Sequence, residues 1–295
     1  MKRIKYKKLY LIIYKLILII TISNQYSVKA FIPNIYLPTD EYFKKKADEI
    51  AETAKRLIYF GEINKAKQIL ELAVKINYKN EQLWSLLAET QIQTDDYYNA
   101  IISLKNAQKI NTKKASYIFR EANINIILKN RFKAIDLVKK GLKIEPKNLT
   151  GLFQLGNLNL MNKNYFQALK AYDKAIEIKP LFWQVINNKA LIYYEIGKKK
   201  EAIGLWKEVL KITKDAEPML AIAAAIFDSK GNNDKSISLA KKALSQDPKY
   251  ALQQHQKDQL WGKNLQKATK KLLNSKFLEK ATIEALERSN IKNGP

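Results

Sequence analysis

The sequence predicts an all-α protein, an α-solenoid of about six helical hairpins closed by a C-terminal capping helix. The main evidence is a 34-residue period that runs without insertion or deletion from Ala47 to Tyr250. A fixed period of this length is typical of stacked supersecondary units. The chain is 46% hydrophobic and has only nine glycines, so it can bury a continuous apolar seam with short loops. The predicted units are 47–80, 81–114, 115–148, 149–182, 183–216 and 217–250.

Small side chains recur at three positions of each unit. They are Ala54, Ala88, Ala122, Gly156, Ala190 and Ala224 at the first position, Ala66, Ala100, Ala134, Ala168, Ala202 and Ser236 at the second, and Ala73, Ala107, Gly141, Ala175, Val209 and Ala243 at the third. Small residues let antiparallel helices approach closely, while the large residues between them fill the remaining space. Prolines at Pro146, Pro180 and Pro248 mark places where a helix must stop.

The period and its residues resemble the tetratricopeptide repeat. The unit 149–182 carries the resemblance most clearly, through Leu155-Gly156, Ala168, Tyr172, Ala175 and Pro180. The resemblance covers about 200 of the 295 residues. It implies antiparallel helix pairs that stack into a superhelix with a concave binding surface. An irregular helical bundle is the alternative.

The first 30 residues have the order of a secretory signal. A basic start precedes an apolar stretch from Leu9 to Ile22, and Val28-Lys29-Ala30 has the small-x-small pattern of a cleavage site. We therefore predict a cleavable signal peptide, residues 1–30, followed by a lead-in segment, residues 31–46. An uncleaved anchor and a buried N-terminal segment are the alternatives, although Lys15 interrupts a stretch that is already short for a membrane span.

The formal net charge is +25, and only five of the 53 basic residues are arginines. Such a field favours acidic partners or anionic surfaces. Codon drift in an AT-rich genome and a selected basic surface both explain the excess of lysine. Nucleic-acid binding is one alternative function, but it usually adds bidentate arginines and stacking aromatics. The scarcity of arginine and the placement of the aromatics at core positions disfavour it.

Catalysis finds little support in the sequence. There is no cysteine and His255 is the only histidine, which excludes Ser-His-Asp and Cys-His arrangements and metal sites built on several histidines. No glycine-rich phosphate loop is present. We therefore predict a protein that is not an enzyme, with no cofactor and no metal.

The resemblance implies which residues line the binding surface, because the first helix of each such repeat faces inward at fixed positions. Carried onto this chain, these positions are Phe119, Asn123, Phe153, Asn157, Asn187 and Tyr194, with Arg120 and Asn188 beside them as further candidate binding residues. Asparagine amides both donate and accept, so they could hold the backbone of an extended peptide. Two alternatives stay open: the phenylalanines could fill the seam between units, and the asparagines could reflect codon usage.

The section 251–295 departs from the period and is predicted to be a capping helix and tail. One apolar stripe runs through Leu260-Trp261, Leu265, Ala268 and Leu272-Leu273, and a shorter one through Phe277, Ala281, Ala285 and Leu286. The second stripe could instead dock a partner or a membrane surface. The segments 215–226 and 259–262 are also similar to exported repeat proteins of cyanobacteria and the thylakoid lumen, which implies a role near those membranes.

The predicted function is a non-catalytic scaffold that binds a protein or an extended peptide in its concave groove. The N-terminal signal places it in an exported compartment, periplasm or thylakoid lumen, where it would assist in assembling or maintaining membrane complexes. A membrane-surface assembly factor that uses the basic field and the C-terminal amphipathic helix is the main alternative.

Overall fold

The computed structural model describes residues 39–291 of the 295-residue chain, with side chains to Ser289. The predicted signal peptide and residues 31–38 of the predicted lead-in lie outside this range. The chain divides into two units between Phe43 and Lys44, and apart from the first turn of α1 the description below concerns the second.

The described residues are α-helical and contain no strand, as predicted. The helices are α1 (Asp40–Tyr59), α2 (Ile63–Ile76), α3 (Glu81–Gln93), α4 (Tyr97–Ile110), α5 (Ser116–Ile127), α6 (Arg131–Ile144), α7 (Leu149–Met161), α8 (Tyr165–Ile178), α9 (Trp183–Glu195), α10 (Lys199–Ile212), α11 (Ala216–Lys230), α12 (Asp234–Gln246), α13 (Gln253–Asp258), α14 (Lys263–Leu273) and α15 (Glu279–Ile291). A 3-10 turn, Pro248–Ala251, follows α12.

The hairpins stack in chain order. From α3 to α12 each odd-numbered helix packs against the helix that follows it, and each even-numbered helix packs against the first helix of the next unit. All eighteen positions of the recurrent small residues are buried. This includes Val209, the one larger residue in the series. The small residues therefore lie where helices meet, which is the packing that the period predicts.

The turn inside each hairpin has one residue with a positive φ, and these residues are spaced by the same period. They are Gly61, Asp95, Lys129, Lys163, Gly197 and Gly231. A left-handed residue ends a helix by satisfying its last carbonyls, and glycine adopts that conformation most readily. Some helix starts are capped by side chains: the Oδ1 atoms of Asn80 and Asn148 accept from backbone N–H groups two or three residues later.

The first helix begins before the first predicted unit. The predicted lead-in extends to residue 46, but α1 begins at Asp40, and residues 40–46 are helical. The Thr39 side chain accepts from the Tyr42 N–H, and Asp40 and Glu41 stand in the first turn, where acidic side chains stabilise the helix dipole. Helix α1 therefore begins inside the segment predicted as a lead-in, seven residues before the first predicted unit.

The tail, residues 251–291, contains three helices rather than a single capping helix. Helix α14 buries Leu265, Ala268 and Leu272 and packs against α11 and, less extensively, α9. Helix α15 packs against α12 and the 3-10 turn, with Ala285 fully buried. Of the second apolar stripe, Phe277 is the member left exposed, so most of that stripe already contacts the last repeat.

Within residues 39–291, none of the helices is both long and apolar enough to cross a membrane. The same residues contain no group of three or more histidine, cysteine, aspartate or glutamate side chains arranged to hold a metal ion.

Candidate peptide-binding cavity

The first helices of the units form one face of the solenoid, the first-helix face, and a cavity of about 740 Å³ lies on it. Helices α5, α7 and α9 form its floor, the start of α11 forms one end, and the turn at residues 258–260 of the tail forms a wall. Ten polar or charged residues and seven apolar or aromatic residues line it: Asn123, Thr150, Gln154, Asn157, Gln184, Asn188, Asp215, Glu217, Asp258 and Gln259, and Ile126, Phe153, Leu158, Met161, Trp183, Tyr250 and Leu260. We call this the central cavity.

The charge of the central cavity is opposite to that of the chain. Three acidic residues, Asp215, Glu217 and Asp258, line it, and no lysine or arginine does. The whole chain carries 53 basic and 28 acidic residues. A lining with a local acidic excess therefore stands out from a surface on which lysine is the commonest charged group.

Three of the predicted site residues line the central cavity. Asn123 is exposed, and its Oδ1 accepts from the Gln154 Nε2 at 2.5 Å. Phe153 is half-buried and packs against Phe182, with ring centroids 5.3 Å apart. Asn157 is the third. Apolar side chains and amide side chains thus both face the central cavity from α5 and α7.

Asn157 is held by an internal network. Its Oδ1 accepts from the Tyr172 hydroxyl at 2.6 Å and from the Asn188 Nδ2 at 2.9 Å. Burial raises the pKa of the Tyr172 phenol, so this hydroxyl stays protonated and donates. Asn157 therefore satisfies a buried hydroxyl as well as facing the cavity, a role that the sequence did not reveal.

Phe119 does not line the cavity. It is buried between α6 and α7, where a Cβ added at Gly141 would lie 2.5 Å from its ring and one added at Gly151 would lie 2.6 Å from it. The two glycines thus make room for the ring. The prediction of Phe119 as a binding residue is corrected to the alternative reading, a side chain that fills the seam between units.

Arg120 lies beside the cavity but contacts the preceding unit. Its Nη1 donates to the Ser85 Oγ at 2.9 Å, and its Nη2 lies 3.7 Å from the Glu89 carboxylate. The guanidinium therefore joins α5 to α3 and is not among the residues that line the central cavity.

Asn187 and Tyr194 are also placed differently from the prediction, because both are buried. The Asn187 Oδ1 accepts from the Trp206 Nε1 at 2.9 Å, and the Tyr194 hydroxyl donates to Asp228 at 2.9 Å. Each satisfies a polar group inside the stack of α9, α10 and α11. Their side chains are closed off from a partner on the first-helix face.

The tail covers the first-helix face beyond α9. Trp261 is buried and its Nε1 donates to the Glu217 Oε1 at 3.1 Å. Leu260, which has a φ of 64°, packs against the apolar cluster of α7, α8 and α9. A left-handed leucine is strained by roughly 1–2 kcal/mol, and the surrounding contacts must hold it there.

The start of α14 is fixed to the end of α9 by one carboxylate. The Glu195 Oε1 accepts from the backbone N–H groups of Asn264 and Leu265, both at 3.0 Å. The Asn264 side chain donates back to the Glu195 carbonyl at 3.1 Å. A carboxylate at a helix N-terminus satisfies free N–H groups and complements the helix dipole. Glu195 therefore caps a helix 68 residues further along the chain.

Glu217 is the most perturbed acid of the cavity. Burial raises its pKa to about 7, and hydrogen bonds from Trp261 and Asn187 oppose that rise. Near neutral pH the carboxyl group therefore exists in both protonation states. Its charge is available to the cavity only as the pH rises above that value.

The sequence missed the tail residues of this site, although it contained a signal for them. Leu260 and Trp261 are two large apolar residues within a polar stretch, and Gly262 follows them. A Cβ at Gly262 would collide with the Glu195 carboxylate, so glycine is needed for the close approach. These residues were predicted to belong to a cap, and the structure places them over the predicted groove.

The geometry defines the class: a helical-repeat solenoid with a polar cavity on its first-helix face, partly covered by its own tail. Residues 150–182 match the family model of the tetratricopeptide repeat. Those residues form α7 and α8, the hairpin in which the resemblance is clearest. The prediction of tetratricopeptide repeats is thus confirmed.

Solved structures share the fold. A crystal structure of MamA is 22% identical, with a TM-score of 0.51 over 54% of this chain and 93% of that chain. PilF of Pseudomonas aeruginosa is 15% identical, with a TM-score of 0.57 over 73% of this chain and 99% of that one. YrrB, described as a TPR protein with an unusual peptide-binding site, is 17% identical, with a TM-score of 0.50 over 64% and 97%. No curated protein sequence matches this chain.

Proposed function

We propose that this protein is a non-catalytic scaffold that binds an extended segment of another polypeptide in the central cavity. The observation that carries the proposal is a cavity of about 740 Å³ with amide, aromatic and acidic groups on rigid helices. Sites built on helices hold their groups in fixed positions, which favours binding. The peptide-binding site ascribed to YrrB supports a similar use of this fold.

The amide groups of the cavity suit the backbone of an extended peptide. Asn123, Gln154 and Gln184 present donors and acceptors along α5, α7 and α9. The Gln154 Oε1 has no hydrogen-bond partner among the described residues, so its amide can turn toward a ligand by giving up one bond to Asn123. Each hydrogen bond to a peptide would contribute on the order of 1 kcal/mol.

The acidic lining indicates the chemistry of the partner. Asp258 is exposed at the turn of the tail, and Glu217 lies at the inner end of the cavity. A lysine, an arginine or a free amino terminus would find complementary charge here, while an acidic segment would be repelled. We therefore assign to this cavity a neutral or basic segment with an apolar side chain for the pocket beside Phe153.

The absence of catalysis is part of the proposal and rests on the sequence. The single histidine, His255, packs edge-on against the Tyr250 ring at 4.6 Å, with Asp247 4.0 Å from its Nε2. It lies in α13 of the tail and is not among the residues that line the cavity. A scaffold role uses the cavity without a nucleophile or a general base.

The compartment is a further part of the proposal. The pattern of residues 1–30 favours export with cleavage after Ala30, and in such a compartment the scaffold would act in assembling or maintaining membrane complexes. None of the comparisons supports the resemblance to cyanobacterial or thylakoid-lumen proteins, so the compartment rests on the signal pattern alone. N-terminal sequencing of the protein from its native host tests the cleavage site.

Peptide selection tests the binding function directly. Dodecapeptides selected from a random library on the full chain should be basic or neutral, and their affinity should be measured by fluorescence anisotropy. We expect Gln154→Ala with Gln184→Ala to weaken binding about thirtyfold, because two amide contacts of about 1 kcal/mol each are lost. The control pair Asn64→Ala with Gln68→Ala removes two exposed amides from α2 and should leave affinity unchanged.

Equal affinities for the two variant pairs would contradict the proposal, as would selection of acidic peptides. The pair Asn123→Ala with Asn157→Ala is a less clean test. Asn157 also satisfies the buried Tyr172 hydroxyl, so its loss would lower stability as well as affinity.

A further inference from the structure

A second cavity lies on the opposite side of the hairpins, between the second helices α6 and α8. Its volume is about 360 Å³, and Leu142, Leu152 and Leu155 form an apolar floor. Four lysines surround it: Lys139 and Lys143 on α6, and Lys170 and Lys174 on α8. We call this the lysine groove.

The four lysines are free to meet a ligand. All of them are exposed, and among the described residues none forms a salt bridge or a hydrogen bond with an acidic side chain. Four like charges around one apolar floor repel each other, and no acidic residue lines the lysine groove with them. An anion placed among them would be stabilised by all four.

General lysine enrichment does not explain the arrangement, because the next groove along the solenoid has the opposite charge. The residues 34 positions later are Asp173, Glu177, Gly204 and Glu208. In the preceding groove, Asp136 interrupts the lysines and Lys105 lies 3.8 Å from Glu121. Codon drift alone would enrich lysine equally at equivalent surface positions of neighbouring units. Here the charge at these positions is positive in one groove and negative in the next.

The difference in charge between neighbouring grooves favours a peptide over a lipid bilayer as the anionic partner. A lipid bilayer is broad, so a surface that approached the lysine groove would also meet the acidic residues of α8 and α10 and be repelled by them. A peptide is narrow enough to lie between α6 and α8 alone. Helices of 14 residues are about 21 Å long, which accommodates about six extended residues.

We infer that the lysine groove binds an acidic peptide segment that carries a large apolar side chain. The carboxylates would lie among the four ammonium groups, and the apolar side chain would cover Leu142 and Leu155. This site is separate from the central cavity, whose acidic lining suits the opposite charge. One partner could thus bind at two sites, with a neutral or basic segment in the central cavity and an acidic segment in the lysine groove.

Calorimetric titration of the full chain with an unlabelled peptide tests the inference. The probe is Glu-Glu-Leu-Glu-Glu-Leu-Glu-Glu, and a companion peptide replaces both leucines with alanine. The variant changes Lys139, Lys143, Lys170 and Lys174 to glutamine. The control changes Lys207, Lys211, Lys241 and Lys242 to glutamine, which removes the same charge from exposed positions on α10 and α12.

We expect the groove variant to bind the probe at least tenfold more weakly and the control variant to change binding by less than threefold. The companion peptide should bind the wild-type chain several-fold more weakly, because the floor is apolar. Circular dichroism should be unchanged for both variants, since the substituted lysines are exposed. Equal loss in the two variants, no loss in either, or equal affinity for the two peptides would each overturn the inference.

Two further measurements assign the groove to other occupants. If sedimentation with phosphatidylglycerol vesicles depends on the four lysines while peptide binding does not, the occupant is a lipid surface and the inference is wrong. If light scattering shows a wild-type oligomer that the groove variant loses, the occupant is a second copy of the chain and the inference is equally wrong. A monomeric wild type whose peptide binding alone depends on the lysines supports it.

Discussion

The first-helix face has an open region over α5, α7 and the start of α9, and a covered region over the end of α9 and α11. The ninth position of each unit records the difference: Asn123 is exposed and Asn157 half-buried, whereas Leu191 is 1% exposed and Ala225 fully buried. The residue type follows the environment, from amide to apolar. The same repeat thus serves either as a binding surface or as a surface for the chain's own tail.

The covering tail makes the C-terminal end of a uniform-looking array unavailable to a partner. In the covered region Ala225 packs in the same cluster as Leu265, Ala268 and Leu272 of α14. Asp228 joins four helices there, because it accepts from Tyr194 and forms salt bridges with Lys199 and Lys271. The hydrogen bond with Lys199 is the main cause that lowers the pKa of Asp228, and it keeps this junction ionised.

The largest effect is expected from Trp261→Ala, which removes the main anchor of the covering tail. Replacement of a buried tryptophan by alanine destabilises by about 3–5 kcal/mol, and here the bond to Glu217 is lost as well. Hydrogen exchange should accelerate in α14 and in the covered helices α9 and α11, and much less in α3–α6. Phe277→Ala, in the exposed part of the tail, is the control and should change exchange little. Uniform acceleration through all helices would show that the two regions are not separate.

A pH-dependent effect is expected from Glu217→Gln. The pKa of Glu217 in the folded state, about 7, lies above its ordinary value of 4.5. The contribution of Glu217 to the free energy of unfolding is therefore greatest below pH 4.5 and is lost as the pH rises through 7. Glutamine keeps an acceptor for Trp261 and does not ionise. The variant should be more stable than wild type by on the order of 2 kcal/mol at pH 8 and nearly equal at pH 4. Urea unfolding at both pH values measures this, and a difference that does not depend on pH would contradict it.

In the open region, Gly156→Ala should destabilise by about 1–3 kcal/mol, because an added Cβ would overlap the buried Tyr172 ring. The matched control is Gly204→Ala in α10, where nothing lies within 4 Å of the added Cβ. That substitution should stabilise by about 0.5–1 kcal/mol, since alanine favours a helix. Thermal unfolding compares the two, and effects of the same sign would argue against the close packing of α7 on α8.

The smallest of these effects is expected from Glu195→Gln, which removes the charge that caps α14. Loss of an ionised cap costs about 1 kcal/mol of local stability. The control is Glu201→Gln on the exposed surface of α10. It removes the same charge from a side chain that forms no hydrogen bond or salt bridge with another described residue. Hydrogen exchange of the Asn264 and Leu265 amides should become faster in the Glu195 variant only. If these amides stay protected in both variants, the Glu195 charge does not help to hold the tail in place.

The repeat architecture could be predicted from the sequence because its signal is distributed over many residues. Eighteen small residues at fixed spacing identify the helix contacts, and each position lies where two helices meet. The open part of the site was predicted for the same reason, since Asn123, Phe153 and Asn157 lie at equivalent inward positions of α5 and α7.

The covered part could not be predicted from periodicity, because it depends on a contact between distant parts of the chain. Asn187 and Tyr194 occupy inward positions, yet each pairs with Trp206 or Asp228 inside the stack. The change from asparagine to leucine and alanine at the ninth position was the available local signal. It indicates burial but does not identify the segment that covers the surface.

Cysteine labelling tests the open and covered regions most directly, because the chain has no native cysteine. Single substitutions Asn123→Cys and Ala225→Cys occupy equivalent positions three units apart, and their reaction rates with a maleimide can be compared in the full chain. We expect position 225 to react on the order of 100-fold more slowly than position 123, and we expect Trp261→Ala to remove most of the difference. Equal rates at the two positions in the wild-type background would contradict this expectation.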